Sequence, residues 1–119
     1  MSKFISLQRA IEMTTLYRKQ QEEVLKEQFR NKDILVRSET FEKSQIEALL
    51  AKKGCEKLRV YYGMDDELKI HAILIPADIN GKDILPDLQQ DVDSAPDQGI
   101  VDDGTRCPPL CPPPSELNP

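Results

Sequence analysis

A chain of 119 residues with 39% apolar side chains, 5% aromatics and no tryptophan has room for one small domain with a modest core. Its net charge of −5 is spread unevenly: residues 1–62 carry 13 Lys or Arg against 9 Asp or Glu, and residues 63–119 carry 3 against 12. An acidic second half repels phosphate backbones and the basic charges of the first half alternate with acids, which argues against a nucleic-acid partner.

In chain order, Phe4-Ile5-Ser6-Leu7 is too short for a secretory apolar region. No apolar run approaches the roughly 20 residues of a membrane helix, so no membrane partner is expected. Three cysteines, an odd number, rule out a fully paired secreted framework and point to a reducing, cytoplasmic setting. Ser6 is placed to cap a helix running from Leu7 to about Phe29. Leu7, Ala10, Ile11, Thr14, Tyr17, Val24 and Leu25 keep the three-to-four spacing of one buried stripe. The polar run Arg18 to Glu23 interrupts that stripe, so the middle is exposed, or the helix is kinked or broken there. Residues 31–39 read as a connector, with Ile34-Leu35-Val36 extended against the core. Ser44-Gln45-Ile46-Glu47 has the pattern of a capping box opening a second helix. Ile46, Leu49 and Leu50 form its apolar face, and Gly54 supplies a left-handed stop.

The densest β-forming stretch follows. Leu58, Val60 and Tyr62 alternate with Arg59 and Tyr61, a turn falls at 63–67, and residues 68–76 form a second strand that Pro76 closes. Asn80-Gly81 marks a further turn, after which 82–85 or 99–102 supply a third or fourth strand. All nine prolines lie at or after position 76. The expected architecture is therefore α+β: two N-terminal helices packed on a small antiparallel sheet of three to four strands. It occupies residues 1–88, and residues 89–119 form an acidic, then proline-rich C-terminal tail, partly extended or disordered.

Cys55, His71, Cys107 and Cys111 together make the donor set of a Cys₃His zinc site, but Pro108-Pro109 stiffens the C-x-x-x-C spacing against it. A Cys107–Cys111 disulfide requires Cα atoms within about 7 Å, whereas straight polyproline would hold them nearly 12 Å apart. A turn at Pro109-Leu110 is what would join them. Arg106-x-x-Pro109-x-x-Pro112 has the shape of a PxxP ligand, and Asp78 to Asp83 has the acids but not the glycine position of a calcium loop. His71 lies on the polar strand face beside Lys69, without an evident partner or pocket for acid–base work. No phosphate loop, H-E-x-x-H or G-x-S-x-G is present, and no cofactor is implied.

Gly54-Cys55, Arg59-x-Tyr61-Tyr62-Gly63, Asn80-Gly81-Lys82-Asp83 and Cys107-Pro-Pro-x-Cys111 together resemble a family of small uncharacterised proteins from Bacteroidetes-type bacteria. The resemblance spans about residues 5–111 and implies a bacterial cytoplasmic protein, with no catalytic residue attached. The function expected is a non-enzymatic protein-interaction or assembly module, self-association included. Its contact face would be Arg59, Tyr61, Lys69 and His71, unless the acidic tail covers that face. The rival expectation is a thiol- or metal-dependent protein using Cys55, His71, Cys107 and Cys111.

Overall fold

The computed structural model describes residues 2–86 and 99–119. The elements are α1 (Leu7–Gln20), a 3-10 turn (Glu27–Phe29), β1 (Ser38–Thr40), α2 (Lys43–Leu50), β2 (Lys57–Met64), β3 (Ile70–Ala77) and β4 (Thr105–Cys107). Among the described residues no helix is long and apolar enough to cross a membrane. The chain is an α+β mix, and its contacts divide it into two compact units, Met1–Glu39 with Arg106–Pro119, and Thr40–Thr105. The boundary expected near Leu88 lies outside the described residues.

In the first unit Ser6 caps α1 as its sequence predicts, its hydroxyl accepting from the Arg9 N–H at 3.0 Å. Ala10, Ile11, Thr14 and Tyr17 form a half-buried stripe. The helix ends at Gln20, not near Phe29, because the Arg18–Glu23 run offers no side chain to continue the stripe. On either side of that end, the Tyr17 hydroxyl donates to the Val36 carbonyl at 2.6 Å and the Gln21 amide donates to the Leu35 carbonyl at 3.1 Å. These bonds hold the 34–36 segment, where Ile34 is buried.

The late prolines do not leave a free tail in this unit. β4 pairs with β1, and the Arg37 N–H donates to the Cys107 carbonyl at 2.7 Å. Arg106 faces Glu39 at 3.5 Å, with side chains only 13% and 10% exposed, and also donates to the Asp33 carbonyl at 3.0 Å. Leu110 N–H bonds the Arg106 carbonyl at 2.9 Å, closing a tight turn that brings the Cys107 and Cys111 Cα atoms to 4.4 Å. The two are joined as a disulfide across cis peptide bonds at Pro108 and Pro109.

The second unit is built on the β2–β3 hairpin, in the register Val60↔Leu74, Tyr61↔Ile73 and Gly63↔His71. α2 packs on both strands, and Leu49, Leu74 and Val101 form a buried cluster joined by Phe41 and Ile46. α2 begins at Lys43 and not at Ser44's expected cap. The Glu42 carbonyl opens the helix by accepting from Gln45 and Ile46. Glu47 is drawn to Lys43 one turn back, at 3.6 Å, instead of closing a box with Ser44. Gly54 does adopt the left-handed conformation, φ +85°, but four residues past the helix.

The expected sheet of three to four strands is corrected to two two-stranded sheets, β1–β4 and β2–β3. The segments offered as further strands reach β3 only as single bridges. Val101 exchanges both main-chain bonds with Leu74, at 2.8 and 3.0 Å, while Asp83 opposes Ala77 and the Ile84 N–H bonds the Pro76 carbonyl. Pro76 offers no N–H on that edge, which limits any continuous ladder there.

Candidate functional site

Two polar constellations lie on one face of the hairpin, the face of Arg59, Tyr61, Gly63, His71, Ile73 and Ile75. Both depend on turns of the same make. Asp65 Oδ1 accepts from the Glu67 and Lys69 N–H groups at 2.9 and 3.0 Å. Asp78 Oδ1 accepts from Asn80 and Lys82, both at 2.9 Å. Each Asp fixes a five-residue turn through its own carboxylate. The fourth residue is left-handed in both, Leu68 at φ 65° and Gly81 at φ 84°. The calcium-loop pattern at Asp78 is thus a turn.

The first constellation centres on His71. Asp65 Oδ2 lies 2.6 Å from Nε2, and the acceptor-only carboxylate assigns the proton to Nε2. That bond, with those from Lys69 and Glu67, holds the Asp65 carboxyl below the usual carboxylate range. Nδ1 is buried without a hydrogen-bond partner among the described residues, and Asp102 Oδ1 stands 3.9 Å away. A cavity of about 330 Å³ opens beside the ring, lined by Gly63, His71, Ile73, Asp65, Asp102 and Asp103. At Gly63 a Cβ would meet Ile73 Cδ1 at 2.7 Å, so a larger residue there would have to displace the tip of that side chain. The imidazole can accept a hydrogen bond at Nδ1, and among the described residues the cavity lining holds no Ser, Thr, Cys, Lys or Tyr side chain. His71 therefore has the partner and pocket that its sequence context did not reveal. The signal was Asp65, six residues earlier across a turn.

The second constellation joins Arg59 and Tyr61 to Asp83, which accepts from both. These two donors hold the Asp83 carboxyl below its ordinary value, with the tyrosine bond the larger cause, and the same contact raises the Tyr61 hydroxyl. Lys69 reaches Glu67 at 3.8 Å. Each polar end of the expected contact face, Arg59, Tyr61, Lys69 and His71, thus has an acidic neighbour within its own unit. Of the acids after position 86, Asp102 stands at His71, Asp103 lines the cavity beside it and Glu116 belongs to the first unit, while Asp87, Asp91, Asp93 and Asp97 lie outside the described residues.

The four expected metal donors are placed apart in kind. Cys107 and Cys111 form the disulfide of the first unit and so offer no thiolate to a metal, while Cys55 is a free thiol in the second. Among the described residues no group of three or more His, Cys, Asp or Glu is arranged to hold an ion.

The apolar face of β2, expected from its alternation to be committed to the helices, is instead largely open. Leu58, Val60, Tyr62 and Met64 are 41%, 43%, 79% and 61% exposed. Their main chain is also free of β3. In an antiparallel ladder, bonded and non-bonded pairs alternate. Leu74 spends both main-chain groups on Val101, so Leu74↔Val60 is a non-bonded pair, and the Asp65 N–H bond to the Lys69 carbonyl fixes the same phase. The N–H and C=O of Leu58, Val60, Tyr62 and Met64 therefore point outward, and no strand among the described residues pairs with that edge.

No family model, curated protein or solved structure matches this chain.

Proposed function

We propose that this protein is a non-enzymatic interaction module whose working surface is the outer edge of β2, where an extended segment of a partner protein adds as a further strand. One observation carries this reading: the residues whose backbone groups point outward, Leu58, Val60, Tyr62 and Met64, are also those whose apolar side chains are exposed. Main-chain bonds give such a site its affinity, and the alternate side chains give it selectivity. An edge of this length left open is otherwise a liability, and proteins blunt theirs with charge, proline or bulges. Here the charged residues of the strand, Lys57 and Arg59, alternate with the outward-facing positions and do not occupy them. On the other face, the polar side chains are tied to Asp65 and Asp83, which stiffen the hairpin that presents the edge. The bacterial, cytoplasmic setting implied by the sequence resemblance belongs to this proposal as well.

The test is titration with an eight-residue peptide of alternating Val and Thr, followed through backbone amide resonances. Shifts and slowed hydrogen exchange are expected at Leu58, Val60 and Tyr62, with Arg59 and Tyr61 little changed because their amides already face β3. A Val60→Pro variant, which removes an outward N–H that the fold does not use, should lose the response. No response at the edge, or an unchanged one in Val60→Pro, contradicts the reading.

A further inference from the structure

We infer that the strand added at this edge is β2 of a second copy, running antiparallel about a two-fold axis at Val60. This rests on the edge reading above and names its partner. A closed two-fold interface must present the same patch from both sides, so every residue has to tolerate its own symmetry mate's neighbour. With Val60 opposite Val60, Leu58 opposes Tyr62 twice over, and all three positions carry outward backbone groups. The pairing makes about six new main-chain hydrogen bonds. It also joins the exposed apolar side chains of both copies into one strip on the face that α2 already covers at Leu74.

Charge selects this register over those centred on Leu58 and Tyr61. An axis at Val60 sets Arg59 opposite Tyr61 and Lys57 opposite Gly63, so no like charges meet and each guanidinium faces an aromatic ring. Moving the axis to Leu58 would set Lys57 against Arg59, a like-charge pair that destabilises a ladder. Moving it to Tyr61 would bring two Tyr61 hydroxyls together, each carrying its bonded Asp83 carboxylate toward the axis. With the axis at Val60 each Asp83 stays with its own Arg59 while that arginine faces the mate's Tyr61–Asp83 pair. Two short strands with four apolar side chains each give an interface at the small end of stable ones, so a reversible dimer in rapid exchange follows.

The experiment uses the full chain, with Cys55→Ser in the cysteine variants so that only the introduced thiol is free. Bonded antiparallel partners have Cα atoms about 5.5 Å apart, within disulfide reach. Copper–phenanthroline oxidation of the Val60→Cys variant should therefore give a covalent dimer. Leu58→Cys should not, because its own symmetry mate lies about 14 Å away along the strand. Sedimentation equilibrium of the unmodified chain should show a monomer–dimer equilibrium. Tyr62→Lys, at a site 79% exposed and so not needed for folding, should weaken association roughly tenfold. Crosslinking at 58 or 61 in preference to 60 overturns the axis. A monomer at every concentration overturns the second copy as partner. If that monomer still answers the Val–Thr peptide, the strand-edge reading stands and only its occupant is wrong; if it does not, both fall.

Discussion

Asp83 is the residue on which the polar face of the hairpin turns. It takes hydrogen bonds from Arg59 and Tyr61, 24 and 22 positions earlier, and its carboxyl is held below the ordinary range by them. A carboxyl depressed in the folded state contributes stability above its unfolded value, about 3.9, and that contribution fades as pH falls through the lower folded value. Asp65 behaves alike through His71. The chain should therefore lose thermal stability on acidification below about pH 4. An Asp83→Asn variant, less stable near neutrality, should lose less over the same range. Melting temperature against pH checks this, and parallel curves for the two proteins would contradict it. The sequence alone leaves both pairs invisible, for different reasons. Asp65 and His71 are six residues apart across a turn whose existence is legible but whose reach is not. Asp83 meets Arg59 only because the Asp78 turn folds the chain back along β3.

At the scale of elements, legibility follows length. β2 and β3 are eight residues each, long enough for period-two alternation to announce both strands and their turn. β1 and β4 are three residues each, too short to carry any period, and the partners lie far apart in the chain. Composition is a weak guide there as well, since seven prolines after position 88 read as a partly extended or disordered tail. Side-chain ties decide otherwise: Arg106 meets Glu39 under little solvent and donates to the Asp33 carbonyl. Arg106→Ala removes both that mostly buried ion pair and the tie to the Asp33 carbonyl. Arg106→Ala should therefore destabilise the first unit by about 3 kcal/mol. Denaturant unfolding followed at Tyr17, whose hydroxyl bonds Val36 in the same unit, measures it, and a loss under about 1 kcal/mol would place the pair among weak surface contacts. α2 shows the converse case. Its existence was plain from Ile46, Leu49 and Leu50, yet its start shifted because Lys43 competes for Glu47.

For the molecule as a whole, the division of labour in β2 is the central feature. Odd-numbered positions bond β3 and carry the polar side chains that Asp83 and its neighbours secure. Even-numbered positions face outward with apolar side chains and main-chain groups that no strand among the described residues takes up. The alternation itself is written in the sequence; which half of it meets solvent is not, because that depends on Val101 taking the opposite edge of β3. Amide hydrogen exchange measured residue by residue at rising protein concentration tests this most directly. Leu58, Val60 and Tyr62 should exchange fast in dilute solution and slow progressively as concentration rises, while Arg59 and Tyr61 stay protected throughout. Even-numbered amides that exchange at one rate across the whole concentration range would contradict the account.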